Sequence, residues 1–176
     1  MKKSLVFAML LVLPLIGMAQ SFDKFEEMDD VSAVVVSKKA FQLIPTIDVD
    51  DPDAKEFMKM LKNLSGLKVF ATSNASASGQ MQSAFNSYVK SNNLEELMRV
   101  KDKDANVKFY VKSGKDADHV MELIMFINGA TKHVGNRDVN TVLLKLTGDI
   151  DLNQISKLTS SMDIPGGNEL KKVGNK

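Results

Sequence analysis

Histidine is the side chain best suited to acid–base chemistry near neutral pH, and this chain has two, His119 and His133. Zinc sites usually draw on three or four closely spaced ligands, often with cysteine, and the chain has no cysteine. His133 is followed by Arg137 and Asp138 in a polar segment, where a histidine could act as a general base at the surface. The simpler interpretation, a loop histidine without a partner, is favoured.

A cluster of acidic residues could suggest calcium instead: Asp48, Asp50, Asp51 and Asp53. A calcium loop of the EF-hand type needs an oxygen ligand at its fifth position, glycine at its sixth and glutamate at its twelfth. Counted from Asp48, these positions hold Pro52, Asp53 and Lys59, so the motif fails at all three. Capping of a helix that begins at Pro52 explains Asp51 more simply.

Other catalytic and cofactor motifs are missing from the sequence. The Gly-x-Ser-x-Gly elbow of hydrolases does not occur, and neither do the Gly-x-x-x-x-Gly-Lys and Gly-x-Gly-x-x-Gly phosphate loops. We therefore expect no cofactor and no metal. Whether the chain is an enzyme stays open, with a non-enzymatic role favoured.

The start of the chain has the three parts of a cleavable secretory signal. Lys2 and Lys3 supply positive charge, residues 5–16 are apolar and uncharged, and small residues precede Gln20. The apolar stretch is too short for a membrane-spanning helix, which needs about 20 residues. We therefore expect residues 1–19 to be a signal peptide, removed before Gln20, and the mature protein to be periplasmic or extracellular.

Removal of 19 residues from 176 leaves 157, which is enough for one domain. We expect this domain to cover residues 20–164 and the Lys-rich tail 165–176 to be disordered. Two of the 23 basic residues leave with the signal, so 21 basic residues face 22 acidic ones and the formal charge is −1. A near-neutral balance argues against nucleic-acid binding. No segment after the signal is apolar and long enough to span a membrane.

The first half of the mature chain is predicted to contain a strand-helix-strand-helix portion. Val31–Val36 is rich in β-branched residues and indicates a strand buried on both faces. A helix follows from Pro52 to Leu64, and Leu67–Thr72 is strand-like. A strand-helix-strand unit commonly pairs its strands in parallel through a right-handed crossover. A second helix carries Met81, Phe85 and Tyr88 at helical spacing.

The second half shows strand periodicity. Its predicted strands begin near Met98 and include Val107–Val111, Val120–Ile127 and Thr141–Thr147, of which Val120–Ile127 is apolar except for Glu122. Asp151 and Gln154 form a capping box at the start of a final helix. The predicted class is α+β, with the N-terminal portion followed by a four-stranded antiparallel meander and a C-terminal helix.

The connection from Asn128 to Asn140 is long, polar and glycine-containing. Long polar loops in small domains are often functional, so this segment is the predicted interaction loop. Its interaction residues are His133, Asn136, Arg137 and Asp138.

The segment Val142–Leu152, followed by Ile155 and Leu158, resembles the end of a family of exported bacterial proteins catalogued as domain of unknown function 4252. That family ends in an apolar strand, a glycine, an Ile-Asp-Leu-like turn and a helix. Val34–Lys38 is similar to the family's first strand. The resemblance implies a location in the envelope of Gram-negative bacteria. It implies no activity and no functional residues, and the 128–140 connection is longer than the family's usual hairpin.

These features favour a non-enzymatic binding or regulatory module in the bacterial envelope, with an envelope protein as the expected kind of partner. One alternative is a carrier of a lipid or other apolar small ligand, which would need a large interior cavity. Another is a small hydrolase that uses His133 with Asp138, which would need a concave pocket beside the loop. The sequence predicts no oligomeric state.

Overall fold

The computed structural model describes residues 22–44, 52–101, 106–134 and 137–155, and of residues 53, 130–134, 137 and 138 it describes only the backbone. Within these residues the strands are β1 (Ser32–Ser37), β2 (Leu64–Thr72), β3 (Glu95–Lys101), β4 (Asn106–Ser113), β5 (His119–Val134) and β6 (Arg137–Asp151). The helices are a 3-10 helix (Phe22–Phe25), α1 (Lys38–Gln42), α2 (Pro52–Asn63) and α3 (Ala75–Ser91), and residues 152–155 are also helical.

The strands form a six-stranded sheet in the order β1-β2-β6-β5-β4-β3, in which every neighbouring pair is antiparallel. The predicted mixed class of helices and strands is therefore confirmed. The predicted meander is too small, because β6 pairs with β2 on one side and with β5 on the other. The N-terminal strands and the later strands thus belong to one sheet.

The predicted parallel crossover between β1 and β2 is wrong. The two strands are antiparallel, with Ser32 opposite Ala71 and Ser37 opposite Gly66. The connection between them contains two helical segments, α1 and α2, so the chain enters β2 at the end where β1 finishes. A single crossover helix would have returned the chain to the start of β1.

The prediction that β1 is buried on both faces is also wrong. β1 lies at the edge of the sheet, and Val34 and Val35 are 56% and 49% exposed. A run of β-branched residues favours a strand but does not determine whether the strand is central or lies at an edge.

The 128–140 connection is not a loop within the described residues. Residues 128–134 belong to β5 and residues 137–140 to β6, with Val134 opposite Arg137. Thr131, Val134 and Val139 are β-branched, but the segment lacks the alternation of apolar and polar residues that marks a half-buried strand. Strands that extend past the core need no apolar face, so periodicity missed them.

One face of the sheet is covered by α3 and the 3-10 helix. Met81 and Phe85 of α3 are buried there, as predicted from their helical spacing, and Phe85 stacks on Phe126 of β5 with ring centroids 4.9 Å apart. α3 begins with a side-chain cap, since Asn74 Oδ1 accepts hydrogen bonds from the amides of Ser76 and Ala77.

The opposite face packs against α1, α2 and the helical residues 152–155. Its buried residues include Phe41 of α1, Met60 of α2 and Ile155. Val107, Phe109 and Val111 of β4 point to this face, in agreement with their predicted alternation, and are buried.

Helix starts were predicted well where they can be checked. α2 begins at Pro52 as predicted, although its proposed cap Asp51 lies outside the described residues. Asp151 caps the final helical residues, because its Oδ1 accepts a hydrogen bond from the Asn153 amide at 2.8 Å. The predicted reciprocal bond of the capping box is wrong, because the side-chain amide of Gln154 donates to Glu56 Oε2 of α2 instead and so ties two helical segments together. Residues 1–19, 48–51 and 165–176 lie outside the described part of the chain.

Candidate functional site

β5 and β6 extend beyond the strands on either side of them. The pairing of β5 with β4 ends at Asn128, and the pairing of β6 with β2 begins at Thr141. Among the described residues, 129–134 and 137–140 therefore have only each other as strand partners. We call these two segments the projecting ribbon. The β6 side of the ribbon has only four residues, so at about 3.3 Å per residue the ribbon extends about 13 Å past the neighbouring strands.

The projecting ribbon contains most of the predicted interaction residues. Its register pairs His133 with Asp138 and Val134 with Arg137, whereas Asn136 lies outside the described residues. Residues directly opposite each other in an antiparallel pair have Cβ atoms about 5 Å apart. The backbone thus brings together the histidine and the aspartate that the sequence suggested, and their functional role stays a prediction.

The base of the ribbon is irregular. The register between β5 and β6 shifts between Asn128 and Lys132, and Gly129 has a φ of 94°, in the left-handed region that glycine adopts readily. On the other strand, the side-chain amide of Asn140 donates to the carbonyl oxygen of Ser73 at 3.4 Å. A register shift of this kind bends a strand and increases its local twist. We therefore expect a bend between the ribbon and the rest of the sheet.

An open groove of about 470 Å³ lies at the other end of β5 and β6. α2, the turn between β4 and β5, and the end of β6 all contribute to it. Its polar lining includes Glu56, Lys59, Asn63, Lys115, His119, Asp149 and Asp151. We call this the polar groove.

His119 is the residue of the polar groove best placed to act as a general base. Its Nδ1 lies 2.7 Å from Oδ1 of Asp116, and the same oxygen accepts a hydrogen bond from the Asp118 amide. The hydrogen bond from His119 holds the pKa of Asp116 below its usual value. With Nδ1–H donated to a carboxylate, the lone pair of Nε2 is available to accept a proton. This is the arrangement of a base and the group that orients it.

An ion pair crosses the groove. Lys115 Nζ lies 2.8 Å from Oδ2 of Asp149, and this hydrogen bond raises the pKa of Lys115. Both side chains are about half exposed, so the pair contributes little to stability. It links the turn between β4 and β5 to the end of β6, and the strand pairing of His119 with Asp151 holds His119 beside the groove.

A family comparison agrees with the resemblance at the end of the chain. The model of the family described as Domain of unknown function (DUF4252) matches residues 25–158, more than half of the chain. The chain belongs to this family. No curated protein and no solved structure matches it.

The end of the segment Val142–Leu152, through which the chain resembles the DUF4252 family, lies beside the polar groove. Gly148 has a φ of 138°, and a Cβ atom there would lie 2.5 Å from the carbonyl oxygen of Asn63. Glycine therefore allows β6 to approach the junction of α2 and β2. Asp149 and Asp151 follow and line the groove, while Ile150 between them is fully buried. The same short segment thus builds both the core and the groove of this DUF4252 domain.

The turn that carries His119 also depends on glycine. A Cβ atom on Gly114 would lie 2.5 Å from the carbonyl oxygen of His119 and 2.8 Å from its carbonyl carbon. The Gly114 amide donates a hydrogen bond to that same oxygen at 2.9 Å. Close approach of two backbone segments, rather than an unusual φ, is therefore the reason for glycine here.

A polar cluster lies between α3 and the sheet of the DUF4252 domain. The Tyr88 hydroxyl donates to Oε2 of Glu122 at 3.1 Å and accepts from Nζ of Lys145 at 2.5 Å. Lys145 Nζ also lies 3.7 Å from Oε2 of Glu122 and 4.4 Å from the centre of the Tyr88 ring. Burial, with Glu122 close by, raises the pKa of Tyr88. Oε1 of Glu122 is buried without a hydrogen-bond partner in the described structure.

Sequence reasoning singled out neither His119 nor the polar cluster as a site. For His119, the available signal was its spacing from Asp116, three residues earlier in a glycine-containing turn. Glu122 as the polar residue in an apolar strand was the signal for the second. Neither signal identifies the partner across the fold, such as Lys145.

The described residues contain no group of three or more histidine, cysteine or acidic side chains arranged to hold a metal ion. The aspartates once considered for calcium lie outside the described residues, except for the backbone of Asp53. Among the hydroxyl groups, Thr72 donates to the Asp30 carbonyl, and Ser78 pairs with the buried Thr141 at 2.6 Å. These hydroxyls hold elements of the DUF4252 domain together.

Among the described helices of this DUF4252 domain, none is both long and apolar enough to cross a membrane.

Proposed function

We propose that this domain is an exported, non-enzymatic binding module that engages a protein of the bacterial envelope through the projecting ribbon. The observation that carries the proposal is the extension of β5 and β6 past both neighbouring strands. A two-stranded ribbon is at most marginally stable by itself in water. Val139 at its base is buried, but residues 133, 134, 137 and 138 beyond it pair only with each other. Their extension is better explained by contact with a partner than by a contribution to the fold.

The chemistry of the ribbon supports a protein partner. Its outer edges carry backbone donors and acceptors without a strand partner in the described residues, and extended peptides add to such edges. Lys132 and Arg137 are basic and Asp138 is acidic, so the segment also offers charges of both signs. Backbone pairing would supply affinity, and these side chains would supply selectivity.

The register defines a clean deletion of the ribbon. Lys132 and Val139 are opposite each other, so replacement of residues 133–138 by Asn-Gly closes the hairpin with a two-residue turn and keeps the buried Val139. The variant should keep its circular dichroism spectrum and cooperative unfolding. In intact cells, cross-linking followed by mass spectrometry should recover an envelope protein with the unaltered chain and lose it with the variant.

A matched control changes the other end of the same two strands. His119→Asn alters the polar groove and leaves the ribbon intact, so it should retain the cross-linked partner. If the ribbon-deleted variant folds and recovers the same partners as the unaltered chain, the proposed binding surface is wrong.

Export is part of the same proposal and has its own test. The apolar residues 5–16 and the small residues before Gln20 support cleavage at that point. The N-terminal sequence of the protein recovered outside the cytoplasm should then begin at Gln20. Recovery of an uncleaved chain from the cytoplasm would contradict it.

The polar groove supports a second function, a small hydrolase in which His119 rather than His133 is the base. Asp116 would hold the Nδ1 proton of His119 while Nε2 accepts a proton from an attacking water. Assays against chromogenic carboxylic and phosphoric esters should show turnover that His119→Asn abolishes. An absence of turnover in the unaltered protein would remove this function. An apolar-ligand carrier has less support, because this groove is lined mainly by polar side chains.

A further inference from the structure

The two edges of the sheet are built differently. On β3, Glu96 accepts hydrogen bonds from Arg99 at 2.5 Å and from the hydroxyl of Tyr110 at 2.6 Å, and the register with β4 shifts between Glu96 and Met98. Charges and irregular register are devices by which proteins keep edge strands from pairing. β3 therefore has the features of a protected edge.

β1 has none of these devices within the strand. Its sequence, Ser-Ala-Val-Val-Val-Ser, contains no charge and no proline, and its register with β2 is regular from Ser32 to Ser37. Val34 and Val35 point to opposite faces of the sheet and are 56% and 49% exposed. Leu43, just after α1, is also exposed. An exposed and regular apolar edge is a template for another strand.

We propose that β1 pairs antiparallel with β1 of a second copy of this chain, about a two-fold axis at Val34, and so joins two six-stranded sheets. This surface is separate from the projecting ribbon, and the inference does not depend on the proposed function. A two-fold pairing also closes on itself, so it forms a dimer rather than a fibre.

Symmetry limits the possible registers. The two-fold axis is perpendicular to the sheet and lies between the two copies of β1. Residues opposite each other must have side chains on the same face of the sheet. The axis is therefore level with one residue, which faces its own copy, and not level with a peptide bond between two residues. An axis at Val34 places Val34 opposite its own copy and Val35 opposite Ala33 of the second copy. Residues 32–36 of each chain then face one another, and all of them except Ser32 are alanine or valine.

The charges beside β1 favour the antiparallel direction. Asp29 and Asp30 precede the strand, Lys38 and Lys39 follow it as the first residues of α1, and all four residues are exposed. Antiparallel pairing about Val34 brings the basic end of one copy beside the acidic end of the other, whereas parallel pairing would bring like charges together. Opposite charges stabilise a cross-strand pair, and like charges destabilise it.

A small groove lies where the lysines of the second copy would arrive. It has a volume of about 320 Å³, and Asp29 and Asp30 are the charged residues in its lining. Neither Lys38 nor Lys39 makes an ion pair with the described residues, so both are available to cross to the other copy. The groove and the lysines are complementary in charge across the proposed axis.

The contact is small. A strand of six residues is about 20 Å long at 3.3 Å per residue, and edge pairing alone buries less than the roughly 800 Å² per partner of a standard interface. The dimer should therefore be reversible, and its mass should depend on concentration.

The test is sedimentation equilibrium of the exported form of the full chain, from about 10 μM to about 1 mM, a range that covers weak dissociation constants. The mass should rise toward twice that of the monomer. Val34→Lys should raise the dissociation constant at least about tenfold, since a lysine would face its own copy. Met121→Lys is the control, because Met121 is 52% exposed but lies on the central strand β5. A monomer at every concentration overturns the proposal, and so does equal dimerisation of Val34→Lys and the unaltered chain.

Four further variants keep the test decisive if Val34→Lys folds poorly. Asp29→Lys should weaken the dimer, and addition of Lys39→Asp should restore it, since the opposite charges again face each other. The chain has no cysteine, so the register can be read directly. Val34→Cys should form a disulfide-linked dimer on oxidation and Val35→Cys should not, because only the first faces its own copy. Preferential linkage of Val35→Cys would overturn the register.

Discussion

Tyr88→Phe removes one oxygen from the polar cluster between α3 and the sheet. That hydroxyl donates to Oε2 of Glu122 and accepts from Lys145, and Oε1 of Glu122 is already without a partner in the described structure. The variant therefore leaves a buried carboxylate with no hydrogen bond from the described residues. Its remaining support is the charge of Lys145, 3.7 Å away.

The expected cost follows from two opposing contributions. A hydrogen bond to a charged group contributes about 1.5–3 kcal/mol, and the Glu122 side chain is only 11% exposed, so water replaces that bond poorly. Lys145 is 22% exposed and can move closer to Glu122, which recovers part of the loss. We expect the free energy of unfolding to fall by about 2 kcal/mol. For a domain of this size, the melting temperature should fall by about 4–8 °C.

Urea unfolding of a double-mutant cycle measures the effect. In a Glu122→Met background, Tyr88→Phe should cost less than about 1 kcal/mol, because no buried carboxylate then depends on the hydroxyl. Tyr110→Phe provides the matched control, since the Tyr110 hydroxyl donates to the exposed carboxylate of Glu96 and its loss should cost less than about 1 kcal/mol. Equal costs of Tyr88→Phe with and without Glu122 would refute the reasoning.

Three further predictions concern the same fold. The pKa of Tyr88 is raised above its usual 10.0, so this tyrosine ionises at lower pH in the unfolded chain than in the folded protein. Its contribution to the free energy of unfolding is therefore complete below pH 10 and falls as the pH rises further. Between pH 9 and 11, urea unfolding should show a smaller loss of stability in Tyr88→Phe than in the unaltered chain. Gly114→Ala should shift the NMR signals of the His119 ring and destabilise the domain by about 1–3 kcal/mol, because its Cβ would overlap the His119 backbone, and unchanged signals would contradict this. Asn74→Ala should destabilise by about 1 kcal/mol in urea through loss of the α3 cap, whereas Asn86→Ala on the exposed side of α3 should not.

Local periodicity predicted the elements better than their pairing. The start of α2 at Pro52 and the alternation of Val107, Phe109 and Val111 both follow from side-chain pattern, and both are confirmed. The pattern of Val31–Val36 fits a central strand and an edge strand equally well, so it could not place β1 at the edge. Strand order depends on contacts between distant segments, such as Phe70 with Leu143, which no local window contains.

The sequence did not predict the projecting ribbon or the polar groove, for different reasons. Strands beyond the core need no apolar face, so the polar 128–140 segment had the composition of a loop. The groove combines α2, a turn and the end of β6, which are distant in sequence, and only their packing brings Glu56 near Asp149 and His119. Sequence therefore indicated His133 and Asp138 as neighbours in one segment but could not indicate the environment of His119.

The position of β6 in the sheet has a consequence for how the chain folds. β2 and β6 are neighbours although Leu64 and Gly148 are 84 positions apart, and β1 reaches the rest of the sheet only through β2. Contacts at such separation close long loops and are associated with slow folding. During synthesis, β1 and β2 emerge long before their partner, and they have no place in the sheet until the last strand is made. A chain truncated before β6 should leave β1–β2 and β3–β5 as two separate pieces.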